Sequence, residues 1–168
     1  MEPRIITPPT TEPVTLVEVK ADLRVEHAED DARLTRHITE AREFVERRVQ
    51  MSLLTQTREI DLPSFPCNGG PILLWGSRPV QSVTSIVYAD GTVQAADFFL
   101  HANAVHAIAG WPSGQFVTVR FVAGYPDAAS VPGAIKTAIR VKVEELYDGV
   151  DRTKFIDDIL TQNLLLVA

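Results

Sequence analysis

From Leu34 to Val49 the chain has one way to hide its apolar side chains. Leu34, Ile38, Ala41, Val45 and Val49 recur at steps of three and four, which lines them along a single helical face. Arg33, Arg36, Glu40, Glu43, Glu46 and Arg47 fill the remaining positions. The acids Glu26, Glu29, Asp30 and Asp31 stand where the positive end of the helix dipole favours them. The spacing predicts a helix over about 30–50. A helix with one apolar face is stable only against partners, so the other segments are read for what they can pack against it.

Upstream, Thr15 and Glu18 have capping-box spacing, and Leu16, Val19 and Leu23 share a face, predicting a shorter helix over about 15–24. Residues 1–14, with Pro3, Pro8, Pro9 and Pro13, read as an extended arm with neither a signal peptide's apolar core nor a membrane anchor. Downstream, the period changes to that of strands. Leu54, Ile60 and Leu62 fall on one parity, with Thr55, Thr57, Glu59 and Asp61 on the other. Residues 63–71, with two glycines and several prolines, form a loop. Strands are expected near 72–75, 83–88, 98–100, 105–108 and 116–122, the last with Val117, Val119 and Phe121 alternating against Thr118, Arg120 and Val122. Asp90-Gly91 suits a hairpin turn, from which Thr92–Ala95 would return beside the preceding strand and continue a meander. Gly124 and Pro126 end the sheet. Pro132 opens a last long helix over about 132–147, with Ile135, Ala138, Ile139, Val143, Leu146 and Tyr147 as its apolar face.

The expected class is therefore α+β. A small helical core, made of two N-terminal helices and a long C-terminal helix, holds a strand-rich antiparallel insertion at about 53–123. A single domain over 15–149 lies between the arm at 1–14 and an extended tail at 150–168. The length suffices for a core without disulfide or metal, and the lone Cys67 offers neither.

Candidate chemistry is sparse. No Gly-x-Ser-x-Gly elbow, phosphate-binding loop or EF-hand spacing is present. His27 and His37 flank the start of the second helix. His101 and His106 are five residues apart, which on a straight strand puts them on opposite faces and makes a poor metal pair unless a turn intervenes. All four read as surface or hairpin histidines. The arginines of the second helix, Arg33, Arg36, Arg42, Arg47 and Arg48, alternate with acids and read as a salt-laced face, not a phosphate stripe. No catalytic residue, cofactor site or metal site is assigned. A net charge of -6 disfavours sequence-independent nucleic-acid binding, though a repelling channel wall would let DNA slide past.

The end of the chain is apolar: Phe155, Ile156, Ile159 and Leu160 at helical spacing, then Leu164, Leu165, Leu166 and Val167. These residues need cover, from the chain's own core or from a partner. Their position after a complete domain and a polar stretch at 148–154 favours a docking arm.

Several segments together resemble the phage head-to-tail connector, or adaptor, family, which includes the adaptors of gene transfer agents. They are Glu12-Pro-Val-Thr-Leu-Val-Glu-Val-Lys-Ala-Asp-Leu-Arg-Val25, Ala41-Arg-Glu-Phe-Val-Glu-Arg47, Leu54-Thr-Gln-Thr57 and Arg78-Pro-Val-Gln-Ser-Val-Thr-Ser-Ile86. Val117-Thr-Val-Arg-Phe121 with Ala123-Gly-Tyr125, and Val131-Pro-Gly-Ala-Ile-Lys136, complete the set. The resemblance implies a subunit of a homo-oligomeric ring, typically twelvefold, in the neck of a phage or gene-transfer-agent particle and made in the bacterial cytoplasm. Its implied neighbours are the portal and a head-closure (stopper) or tail-terminator protein, with double-stranded DNA passing through the ring without specific binding and no membrane. The tail residues Phe155 to Val167 would dock on portal, and the helices would form the contacts between subunits. Two alternatives are another neck or tail-completion protein of the same particle, and a small ligand-binding or enzymatic domain using His101, His106 and Trp111.

Overall fold

The computed structural model describes residues 3–66, 69–88, 98–108, 110–111 and 116–164, Asn163 and Leu164 by their backbone. The chain divides into two compact units, one comprising Met1–Pro9 and Gln50–Tyr125, the other Thr10–Val49 and Pro126–Ala168. The stretch 15–149 is thus distributed over both. The mixed α+β class holds, with all the described strands but the first inserted in sequence between helices.

In the helical unit, α1 (Leu16–Leu23) begins at the expected capping box. The Thr15 hydroxyl accepts from the Glu18 amide at 3.2 Å, and the Thr15 amide donates to the Glu18 carboxylate at 2.7 Å. The Thr15 amide and the Thr15 hydroxyl, the latter at 2.8 Å, both donate to the Glu18 carboxylate and hold it below the usual carboxylate range. A left-handed Arg24 ends the helix, and Lys20 ties the turn by donating to the His27 carbonyl at 2.7 Å and pairing with Asp31 at 2.5 Å. The second helix, α2 (Asp31–Val49), buries Leu34, Ile38, Ala41, Val45 and Val49, the predicted stripe. Opposite it, α3 (Gly133–Asp148) buries Ile135, Ala138, Ile139 and Val143, with Leu146 and Tyr147 partly covered. Pro132 is its cap, one residue before the helix begins, and Gly149 closes it in the left-handed conformation at φ 77°. Beyond it the chain is helical again, as α4 (Thr153–Leu164), which packs on α3.

The strand unit holds two antiparallel sheets. In the larger, the order is β1 (Arg4–Thr7), β2 (Gln56–Leu62), β7 (Val117–Ala123) and β4 (Val80–Tyr88). In the smaller it is β3 (Ile72–Leu73), β6 (Ala104–Ala107) and β5 (Phe98–His101). One expectation is corrected. The strands do not run as a meander, because β2 pairs with β7 and not with its sequence neighbour. The proline-rich arm contributes β1, whose prolines Pro3 and Pro8 flank an edge strand where a missing amide breaks no ladder. The return strand expected at Thr92–Ala95, with its Asp90-Gly91 turn, lies outside the described residues, as does Cys67.

Strand β7 buries Val117, Val119, Phe121 and Ala123 completely, following the predicted alternation. Around them pack Ile60, Phe65, Ile72, Leu74, Ile86, Tyr88 and Val105. Glu59, on the strand parity expected to face water, is only 5% exposed. Arg4 and Arg120 cover it from the two flanking strands, Arg120 at 2.7 Å, so the carboxylate is buried beneath its own counter-ions.

Candidate interaction surfaces

The segments that carry the family resemblance meet in space at two places. In the strand unit, Gly124 adopts φ 111°, and a Cβ there would lie 2.0 Å from the Leu54 carbonyl oxygen. Only glycine allows that approach. The Gly124 amide donates to the Pro79 carbonyl at 2.8 Å, and the Gln81 amide group donates to the Gly124 carbonyl at 2.7 Å and to the Thr55 hydroxyl at 2.9 Å. Thr55 in turn donates to the Tyr125 carbonyl at 3.1 Å. Segments 54–57, 78–86 and 123–125 thus form one hydrogen-bonded knot.

In the helical unit, Arg42 is 3% exposed and lies between two carboxylates, donating to Glu12 at 2.9 Å and to Glu46 at 2.9 Å. Glu12 also accepts from the Thr39 hydroxyl at 2.9 Å. The chain before α1 is thereby anchored along α2. Both constellations hold the fold, and neither presents a group to a ligand.

The other arginines of α2 are engaged as well. Arg33 donates to the Tyr147 carbonyl at 3.2 Å and lies 5.0 Å over the Tyr147 ring, whose hydroxyl donates to Asp30 at 2.8 Å. That bond, with desolvation, pushes the Tyr147 phenol up from its usual range. Arg36 pairs with Glu40 at 3.8 Å and Arg48 with Asp157 at 3.3 Å. The face is laced by charge pairs, and those of Arg42 with Glu12 and Arg48 with Asp157 reach beyond the helix.

At the C-terminal end, Ile156 and Leu160 are 0% and 4% exposed, turned into the helical unit's core. Ile159 is partly covered, whereas Phe155 is 56% exposed. The backbone of Leu164 ends α4, and its side chain, with Leu165, Leu166 and Val167, lies outside the described residues. The polar stretch before α4 is a fixed corner. Asp148 accepts from Arg152 at 2.7 and 2.8 Å and from the Val150 amide at 2.9 Å, which lowers its pKa to about 2.

The histidines divide. His27 is surface-exposed, 3.9 Å from Asp30. His37 is only 8% exposed, correcting the surface reading. Its Nε2 accepts from Arg33 at 3.2 Å while Nδ1 lies 3.1 Å from Glu40. His101 and His106 share one face of the small sheet, because a two-residue turn at Ala102 and Asn103, φ 48° and 61°, joins their strands. Trp111 packs elsewhere, stacked on Phe65 at 5.0 Å and donating to the Gly70 carbonyl at 2.8 Å. The structure therefore does not gather His101, His106 and Trp111 into one pocket. Among the described residues, no group of three or more His, Cys, Asp or Glu is placed to hold a metal ion. No helix there is long and apolar enough to cross a membrane.

The described surface carries exposed apolar side chains on both units. On the strand unit these include Ile5, Leu73, Trp75, Phe99 and Ile108, and on the helical unit Val17, Val150 and Phe155. Sequence patterning missed Trp75 and Phe99 as surface groups because apolar residues in short strands read as core.

Residues 13–68 match the family model described as phage gp6-like head-tail connector protein. No curated protein sequence matches the chain. Among solved structures, a chain in the virion of a native gene transfer agent particle is 22% identical, with a TM-score of 0.80 over 96% of this chain and 94% of that one. A chain in the neck of the empty particle, computed with C6 symmetry, is 21% identical with a TM-score of 0.78 over the same shares. A chain in the neck of the native particle, computed with C12 symmetry, is 19% identical with a TM-score of 0.78, again over 96% and 94%. The segment 13–68 therefore carries the head-tail connector pattern, and nearly the whole chain has the fold of a subunit found in gene transfer agent necks.

Proposed function

We propose that this chain is a structural adaptor of a phage or gene-transfer-agent particle. Copies assemble head to tail into a ring, twelvefold, between the portal and the head-closure or tail components, and the ring continues the DNA channel. The observation that carries this reading is the whole-length likeness to a chain of a neck with C12 symmetry, joined to the connector match over residues 13–68. A cyclic ring uses heterologous contacts, in which two different patches of the subunit meet. Exposed apolar groups on both units, Trp75 and Phe99 on one and Val17 and Phe155 on the other, supply candidates for such patches.

The role is non-catalytic. Supporting this, the buried polar and charged side chains His37, Arg42, Glu46 and Glu59 have partners within the fold, and the conspicuous glycine, Gly124, serves a backbone crossing. A net charge of -6 suits a channel through which DNA passes without being held. Portal is contacted by the C-terminal segment through Phe155 and the residues after Leu164.

The test is cryo-electron microscopy of the intact particle, with reconstitution on the cognate portal beside it. A ring of twelve copies seated on portal is the expected result. Copies seated only at the distal end of the tail tube, or no ordered ring in the intact particle, would exclude the adaptor role and favour another tail-completion component.

A further inference from the structure

We infer that the β5–β6 hairpin carries an open, bidentate site for a borderline divalent transition-metal ion, held by His101 and His106. The register pairs His101 with Ala104 and Phe99 with His106. Since side chains alternate along each strand, Phe99, His101, Ala104 and His106 all stand on one face. The intervening type I′-like turn, with positive φ at both Ala102 and Asn103, converts an unsuitable five-residue spacing into a cross-strand diagonal pair.

The two imidazoles lie with centroids 6.2 Å apart and planes inclined at 60°. With metal–nitrogen bonds of about 2.1 Å, two imidazoles on one tetrahedral ion have centroids roughly 5 Å apart. The remaining gap is within reach of a side-chain rotation at His101, which is exposed at the hairpin end. His106 is held for the purpose, stacked on Phe99 at 5.0 Å and 11°. Among the described residues neither ring has a hydrogen-bond partner, so ligation breaks no hydrogen bond within the protein.

No third His, Cys, Asp or Glu joins them among the described residues. The site thus leaves the other coordination positions to water, and imidazole selects ions such as Ni²⁺, Cu²⁺ and Zn²⁺ over Mg²⁺ or Ca²⁺. The inference does not rest on the ring assignment.

Ni²⁺ titrated calorimetrically into the untagged full chain, in a non-coordinating buffer, tests the inference. One ion per chain is expected. His101→Ala and His106→Ala should each weaken binding at least about tenfold, while His27→Ala leaves it unchanged. Circular dichroism of each variant verifies that the fold is intact, and His106→Gln serves if the alanine variant unfolds. Equal affinity in the wild type and the His101→Ala/His106→Ala double variant, or an equal loss in His27→Ala, would overturn it.

Discussion

Gly124 and Gly133 differ in what a methyl group would meet. At Gly124 a Cβ would collide with the Leu54 carbonyl, and the backbone has φ 111°, which side-chain-bearing residues seldom adopt. Gly124→Ala should therefore cost about 3 kcal/mol or more, read as a lowered urea midpoint. Gly133 opens α3 with nothing within 4 Å of its Cβ position, so Gly133→Ala should be neutral or stabilising by up to about 1 kcal/mol. Arg42 yields a charge counterpart. Removing a 3%-exposed guanidinium from between Glu12 and Glu46 breaks a buried ion network, and Arg42→Ala should lose about 3 kcal/mol by the same denaturation measurement. Glu12 and Arg42 were visible in the sequence as an acid in an arm and a base in a salt-laced helix. Their pairing was not, because charge alternation along a helix suggests neighbours four residues away and says nothing of a partner 30 positions earlier.

Elements were more legible than their arrangement. The helices α1, α2 and α3 begin and end within a residue or two of the expected bounds, since caps and apolar period are local signals. The sheet order was hidden. Alternation along β2 and β7 encodes which face is buried, whereas the pairing of Glu59 with Arg120 closes a separation of 61 residues that no local pattern marks. Strand β1 was obscured by its flanking prolines, although Ile5, Ile6 and Thr7 carry the β-branched signature. The tail's four-residue spacing from Ile156 to Leu160 was read, but periodicity cannot say whether the cover is the chain's own core, as it is for those two residues. The corner between α3 and α4 has a pH signature. Asp148, lowered to about 2 by its bonds to Arg152 and the Val150 amide, stabilises the fold when ionised. A depressed carboxyl contributes above its unfolded pKa, near 3.8, and the contribution disappears as pH falls toward 2. Asp148→Asn should accordingly be less stable than the wild type at pH 5 to 7, with the difference closing between about pH 4 and 2 in thermal melts.

At the scale of the whole molecule, α4 has to serve a fold and, on the adaptor reading, a partner. Ile156 and Leu160 complete the helical unit, so deleting everything from Phe155 onward would remove core as well as contact surface and could not separate the two. Single residues on opposite sides of the helix can. Ile156→Ala should cost about 2–4 kcal/mol, as expected for truncating a fully buried side chain. Phe155→Ser, at a position 56% exposed, should leave stability within about 0.5 kcal/mol. If the exposed side of α4 docks on portal, Phe155→Ser should nevertheless weaken capture by purified portal at least tenfold, whereas Ile156→Ala should affect capture only through the fraction unfolded. Truncation after Leu164 isolates the last four residues without touching either group. Portal binding unchanged in both Phe155→Ser and that truncation would remove the tail from the interface and leave portal recognition to the rest of the helical unit or to the strands.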